Sequence, residues 1–588
     1  MQKFVIRRRV MVQRFLSVLG GLILIFSGTA SGQPMSTEHI PDSEIPQRTN
    51  NFYLLGKVWG YLKYHHPQVK GGCFDWDKEL LSVAASINEA KTRSAALNVL
   101  TTWVRQVDQP RPDCELELAK REPSKLGERS WIQDEVLLGP DLAQALMAVN
   151  ARAEQYAGQH YVTLVEGIKN PQFLTERSYA GKKELGWPYR LLALFRFWNI
   201  VEYWSPYKNV ISQDWDQTLI EFIPRFIDAD DEGKYVTELM VLVARVEDGH
   251  TALWSHFHLS PPGGRLYVHA HIRSIEGRPV VWRASKNGFR KGLAVGDVIL
   301  TIDGAPVERL VDAWRPFYGA SNESALRRQL YLNLLRGTEK FVDVRVERNG
   351  REVDLTLKRK RGPTRMNTHD RDGKTLQLLS EDVAYLKLSS VSAKDVPKYL
   401  EKIDGTRGLV IDIRNYPADF VVFALGQHLV QQTTPFARFT YGDLAAPGNF
   451  LWTDSMNLGP KTPFYDGKVV IIVDEASQSN SEYTAMAFRA GLNAAVVGSQ
   501  TAGADGNVSS ITLPGGYETK ISGIGVFYPD RSPTQKIGIV ADVAVRPTIA
   551  GIRAGRDEVL EQAVKVILGE EVSQGKLEEL IRLSQARP

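Results

Sequence analysis

A chain of 588 residues is too long for one hydrophobic core, so several domains are expected. Its 43% hydrophobic and 24% charged residues are those of a soluble globular protein. The formal net charge of +4 would admit a nucleic-acid partner, but the charge is concentrated at the N-terminus and argues against one.

That N-terminal stretch, MQKFVIRRRVMVQRFLSVLGGLILIFSGTASGQ, has a basic leader, an apolar run from Phe15 to Phe26, and small residues at Ala30 and Gly32. It reads as a secretory signal peptide over residues 1–32, cleaved before Gln33. The apolar run is short for a membrane span. Removing Lys3, Arg7, Arg8, Arg9 and Arg14 leaves the mature chain at −1. No nucleic-acid partner is therefore expected, and membrane contact is expected only through the signal peptide before cleavage. The expected location is periplasmic or extracellular. Cys73 and Cys114 are the two cysteines; they could pair in an oxidising compartment or remain free thiols.

Residues 45–260 carry aromatics and leucines at helical spacing. VWGYLKYHHP (58–67) and FWNIVEYWSP (197–206) align without gaps at an offset of 139, and the same offset places Asp75-Trp76-Asp77 on Asp214-Trp215-Asp216. The region is thus a duplicated helical unit, with copies over about 52–110 and 191–250 and tryptophans as core. The copies diverge at their ends: the second closes with DGHTAL, and His250 faces Pro110 of the first.

Residues 265–358 read as a small β-rich domain. KGLAVGDVILTIDGAPV (291–307) resembles the PDZ pattern, carried by Gly292, Leu293, Gly296, Asp297 and Gly304. The glycine-rich loop that grips a peptide carboxylate in many PDZ domains is not visible, so terminal-carboxylate recognition is not expected. Residues 359–374 read as a hydrophilic linker whose basic cluster is solvated. From 375 to 568, short apolar runs (VAYLKL, GLVIDI, KVVIIV, AAVVG) alternate with helical stretches, which predicts a largely parallel α/β layer. Residues 569–588 read as a surface helix.

The run VVIIVDEASQSNSE places Ser477, Ser479 and Ser481 where a strand becomes a helix. Such a junction lifts a side chain above the sheet edge and aims free helix N–H groups at developing negative charge. SNSE (479–482) also fits a capping box, with Ser479 as N-cap and Glu482 reaching back. Local chemistry alone leaves nucleophile and cap both open.

The order of motifs decides between them. A PDZ-like segment, then GLVIDIRNYPADF (408–420), the triple serine with SE, VVGSQTAGADGN (496–507), GIVADVAV and GRDEVLEQA together resemble the tail-specific, C-terminal-processing serine proteases and their tricorn-like relatives. The resemblance spans about residues 240–568 and implies a ClpP/crotonase-like layered core. It implies Ser479 as nucleophile, with the N–H groups of Asn480 and of the backbone near Ala418 as oxyanion donors. Where the serine–lysine branch carries its lysine, this chain has Ala504, so a Ser–Lys dyad is rejected. The tricorn-like branch uses a histidine in a segment like DGHT, which implies His250 as base. For the group that orients the ring, the resemblance implies Gln535 at the glutamate position, with Asp505 as the alternative. Asp248 is set aside, because adjacency in sequence does not orient a ring.

The fold expected is therefore multidomain: a duplicated helical region, a PDZ-like domain and an α/β protease core. The activity expected is that of an exported serine endopeptidase acting on extended or unfolded polypeptides. No cofactor is expected. One alternative is a decayed peptide-binding protein of the same fold. Another is a metal-binding protein using His250, His256, His258, His269 and His271, whose His-x-His pairs on strands would share a face. HEXXH is absent, and no metal is expected.

Overall fold

The computed structural model describes residues 46–114, 116, 127–182, 184–284, 292–362, 371–491 and 494–586. The signal-peptide reading falls outside these residues, as does half of the expected linker, residues 363–370. Among the described residues no helix is long and apolar enough to cross a membrane.

The helical region is built around α1 (Gln47–His65), followed by α2 (Trp76–Glu89) and α3 (Arg93–Val107). Its second half carries α4 (Trp187–Trp204), α5 (Trp215–Asp228) and α6 (Glu232–Ala244). Helices α1 and α4 are buried on nearly all sides, and their buried cations Lys57, Lys63 and Arg196 are each paired with a carboxylate within the helical region. They occupy equivalent positions in the two repeats and pack against each other. A Cβ on Gly60 would lie 1.7 Å from Asn199 Oδ1, so only glycine permits this approach.

The duplication is visible atom by atom. Trp59 Nε1 donates to Trp76 O at 3.2 Å and Trp76 Nε1 returns a bond to Trp59 O at 3.1 Å. Trp198 and Trp215 repeat that exchange at 2.7 and 3.1 Å. Asp75 and Asp214 cap α2 and α5 identically. The cations cross over between copies: Lys57 pairs with Asp216, and its equivalent Arg196 pairs with Asp77, the equivalent of Asp216. Each copy neutralises the other, which gives the unit an approximate two-fold. Cys73 and Cys114 are disulfide-bonded.

The β-rich domain is an antiparallel sheet in the order β1 (Ala270–Ile275), β2 (Arg278–Ala284), β3 (Val298–Ile302), then, after α7 (Glu323–Asn333), β4 (Phe341–Arg348) and β5 (Arg351–Lys358). Gly292, Gly296 and Gly304 all adopt positive φ. Leu293 is in the core, and Asp297 accepts from Ala294 N–H and Arg348 Nε.

The expected linker is corrected at both ends. Lys360–Arg361 pairs with Leu266–Tyr267, and Arg359 is buried, donating to the carbonyls of Leu335, Glu339 and Phe341. Arg371 is buried and donates to Ile581 O. These arginines satisfy orphan carbonyls rather than facing water.

The C-terminal layer orders β6 (Leu376–Leu378), β7 (Val383–Lys387), β8 (Gly408–Asp412), then, after β9 (Thr434–Gly442) in a separate antiparallel sheet, β10 (Lys468–Val473). Helix α8 (Asn480–Arg489) leads to β11 (Ala494–Gly498), a hairpin of β12 (Val508–Leu513) and β13 (Tyr517–Ser522), and β14 (Val543–Ala544). The sheet runs β6-β7-β8-β10-β11-β14, parallel from β7 onward, as the continuous apolar runs require. Helix α9 (Glu558–Leu568) and α10 (Gln574–Ala586) cover one face; Leu577, Leu580 and Ile581 of the expected surface helix are buried there.

The hairpin departs from the expected domain boundary. Ile511, Leu513, Tyr517 and Ile521 join the core of the helical region, and Arg196 donates to Thr512 O at 2.8 Å. The C-terminal layer thus inserts a finger into the helical region and brings back Ser522 at its end.

Candidate active site

The serine junction forms because β10 ends at Val473 and the chain turns sharply before α8. Ser477 is consumed by that turn: its hydroxyl donates to Ile413 O at 2.8 Å and accepts from Asp474 N–H. Ser481 is wholly buried inside α8. Ser479 stands between them as N-cap, with φ 57° and ψ −122°, a conformation strained for a residue with a Cβ. It is fastened at its N–H, which donates to Ala504 O at 2.9 Å and to Glu482 Oε2 at 3.2 Å. The Glu482 carboxylate is buried and also accepts from Gly503 and Ala504 N–H and from the Thr501 hydroxyl. One carboxylate therefore fixes the serine backbone to the 501–504 loop.

His250 sits on the loop after α6. Its Nδ1 lies 3.2 Å from Asp248 Oδ1 and 3.0 Å from Ser522 Oγ, and its backbone N–H donates to the same Asp248 oxygen. Asp248 Oδ2 accepts from Ser522 N–H at 2.7 Å. His250 Nε2 is buried with no hydrogen-bond partner among the described residues. The loop is seated against the serine junction: Gln478 Nε2 donates to Gly249 O at 3.1 Å. A Cβ on Gly249 would come within 2.9 Å of Ala504 Cβ. The histidine loop therefore packs on the alanine that stands at the lysine position of the other branch.

Residues 382–545 match peptidase family S41. The chain carries an S41 peptidase domain. That match indicates a serine peptidase, hence a hydrolase. Mature CPAF complexed with lactacystin is similar in structure at 13% identity, over 68% of this chain and 99% of that one, with a TM-score of 0.52. A second structure of mature CPAF is similar at 12% identity, over 66% and 99%, with the same TM-score. A photosystem II D1 C-terminal processing protease is similar at 17% identity, over 67% and 97%, with a TM-score of 0.39. Among proteins of curated function, none matches the chain in sequence.

Within the S41 domain the structure revises three sequence expectations. Ala418 N–H donates to Leu388 O at 2.9 Å, so it is not free for an oxyanion. Asn480 N–H, first in α8, has no acceptor ahead of it in the helix. Gln535 does not reach His250; its Nε2 donates to Ser321 Oγ at 3.3 Å. Asp505 is not at Nδ1 either: Oδ1 accepts from Gly506 N–H, and Oδ2 is buried without a partner among the described residues. The group at Nδ1 is Asp248, which the sequence reading set aside. An Asx turn folds its carboxylate back onto a ring two residues ahead, and the DG pair was the available signal.

Burial alone would lower the pKa of His250, but the Asp248 carboxylate, with smaller contributions from Asp505 and Glu482, turns the net shift upward. Asp248 is raised by burial and lowered more by His250 and the N–H groups that bind it. Asp505 goes the other way: burial, then the Glu482 charge, push it up to about 8.

The β-rich domain grips the S41 domain at this site, which the sequence did not disclose. Arg328 of α7 donates to Glu475 O at 2.8 Å and Gln478 Oε1 at 2.6 Å. Arg273 of β1 holds Asp474 at 2.7 Å and Glu475 at 2.6 Å. Ser321 Oγ accepts from Gly249 N–H, and Asn322, which caps α7, donates to Thr501 O. Helix α7 and the two residues before it, Ser321 and Asn322, thus touch all three loops around Ser479.

The pair His256 and His258 departs from the strand-face arrangement of the metal-binding alternative. His256 and His258 lie on the short helical turn Trp254–Leu259, not on a strand, and Arg265 donates to His258 Nε2 at 3.0 Å. A cation beside the ring opposes a second cation. Among the described residues no group of three or more His, Cys, Asp or Glu is placed to hold a metal ion.

Proposed function

We propose that the protein is an exported serine endopeptidase that cleaves extended or unfolded polypeptides through an acyl-enzyme on Ser479. His250 takes the hydroxyl proton at Nε2, and Asp248 with Ser522 holds the ring through Nδ1. The single observation carrying this is the state of His250: one nitrogen doubly held, the other buried and unpartnered, on a loop seated against Gln478 and Ala504 beside the strained serine. The developing oxyanion meets Asn480 N–H at the start of α8. His250 gives that proton to the leaving amine as the C–N bond breaks; water, deprotonated in turn by His250, then hydrolyses the acyl ester and Ser479 Oγ regains its proton.

The β-rich domain is proposed to be PDZ-like; its edge strand β1 lies beside α7 and is buried where Arg273 meets Asp474 and Glu475. Export through residues 1–32 is supported by the Cys73–Cys114 bond, which fits an oxidising compartment.

The test is labelling by a serine-reactive fluorophosphonate, compared across wild type, Ser479→Ala and His250→Ala. Labelling of wild type alone is expected. Equal labelling of wild type and Ser479→Ala sinks the assignment.

A further inference from the structure

The loop that carries Ala418 ends in an unusual residue for a surface. Phe420 is 49% exposed, yet the backbone presenting it is pinned. Ala418 N–H is bound to Leu388 O, and the Asp419 carboxylate accepts from Ala393 and Phe420 N–H at 2.8 Å each. The charge of Asp419 is thereby turned onto backbone, and the phenyl ring is held out.

What that ring faces is aromatic. Its plane lies 16° from that of Tyr483, with centroids 6.3 Å apart. Tyr483 in turn meets Phe439 at 5.8 Å and the buried Phe436 at 5.2 Å. Phe423 closes the back at 6.0 Å from Phe420. Tyr483 follows Ser479 by four residues at the start of α8, and its N–H donates to Ser479 O at 3.0 Å. The aromatic wall therefore begins one helical turn from the candidate nucleophile and opens to solvent at Phe420.

Its charge environment selects the occupant. Among the described residues no cation lies over the rings of Phe420, Phe439 or Tyr483. The nearby Trp452 is different, with Arg531 at 5.1 Å and Arg438 at 5.9 Å. An acidic side chain would find no cationic partner on the wall. A flat or long apolar side chain would bury against ring faces already ordered.

We propose that Phe420, with Tyr483 and Phe439, forms the subsite for an aromatic or long aliphatic side chain on the residue whose carbonyl Ser479 attacks. This rests on the acyl-enzyme reading above. It makes Phe420 a specificity-determining residue and the substrate class polypeptides cut after large apolar residues.

The experiment compares two fluorogenic peptides identical except for Phe or Ala at that position. The wild type is expected to favour the Phe peptide in kcat/KM by about tenfold or more. Phe420→Ala is expected to bring the ratio to within about threefold of one, and Phe420→Leu to restore most of it. An unchanged ratio in Phe420→Ala, or a wild type preferring Ala, overturns the subsite. A small alkyl fluorophosphonate is run on every protein. Failure to label wild type overturns the acyl-enzyme reading itself, whereas normal labelling with an unchanged ratio overturns only the subsite. Should Phe420→Ala not label, Phe439→Ala takes its place under the same criteria.

Discussion

Replacing Asp505 with Asn tests the electrostatics of the site through stability. The carboxyl is fully enclosed, with Oδ1 taking Gly506 N–H at 2.7 Å and Oδ2 facing no partner among the described residues. Burial, then the Glu482 charge, raise its pKa from 3.8 to about 8, against smaller opposing pulls from Gly506 N–H and His250. The folded state therefore holds a proton that the unfolded chain sheds above about pH 4. Because the folded value is raised, stability falls as pH climbs from the unfolded pKa to the folded one. The penalty is about 1.4 kcal/mol per pH unit, so about 1.6 kcal/mol near pH 5 and about 5 kcal/mol near pH 7.5. Asparagine keeps the Oδ1 acceptor and mimics the neutral acid without the titration. Its advantage over wild type should grow by about 3 kcal/mol across that range, which is about 6–12 °C in the transition of a unit of this size. Scanning calorimetry of both proteins near pH 5 and pH 7.5 reads it directly. The reasoning is refuted if the difference is the same at both pH values, or if Asn loses stability at the higher one. Either result means Asp505 is ionised and paired in the folded chain.

The Asp248 carboxylate holds the folded pKa of His250 above its usual 6.5, so kcat/KM should rise with pH along a limb centred above that value. By the same sign, the stability His250 gains from its partner is full below 6.5 and lost as pH climbs through the raised value. Asp248→Asn should move the limb to lower pH and slow the reaction; a pH profile in which the limb stays put excludes Asp248 as the orienting group. Glu482→Gln leaves one amide oxygen for two of four donors and turns an N–H₂ toward the others, costing about 2–5 kcal/mol. Calorimetry should show the loss and fluorophosphonate labelling should slow with it; an unchanged labelling rate would falsify Glu482 as the group that positions Ser479. Arg328→Ala removes the bonds to Glu475 O and Gln478 Oε1, and labelling should slow by about tenfold, as for a loss of about 1.4 kcal/mol in positioning. Arg328→Lys should not restore it, since a lysine cannot span both acceptors; full recovery with lysine would show that charge alone suffices.

Elements governed by local pattern were legible in the sequence. The continuous runs VAYLKL, GLVIDI and KVVIIV became β7, β8 and β10 because strands covered on both faces have no polar side to alternate with. The paired tryptophans were readable as core, since Trp59 and Trp198 each recur with a partner 17 residues on. Their reciprocal bonds and the crossed Lys57–Asp216 and Arg196–Asp77 pairs were not, because spacing along one copy says nothing about contact between copies. The same holds for the hairpin that enters the helical core and delivers Ser522, and for Arg328, which arrives from a different domain.

Ser479 joins the two kinds of information. Its local sequence, SNSE, supports a helix cap, and Glu482 does accept its N–H. Yet a cap ordinarily takes extended backbone, and φ 57° is a conformation that costs a non-glycine residue about 1–2 kcal/mol. A residue serving only as a cap would relax out of that strain. It is held there by Ala504 O and by a carboxylate whose other three donors lie in the 501–504 loop, beside the seat of the histidine loop on Gln478 and Ala504. The strain is thus maintained by contacts from distant parts of the chain. That is the physical difference between a serine that only ends a turn and the nucleophile proposed for Ser479.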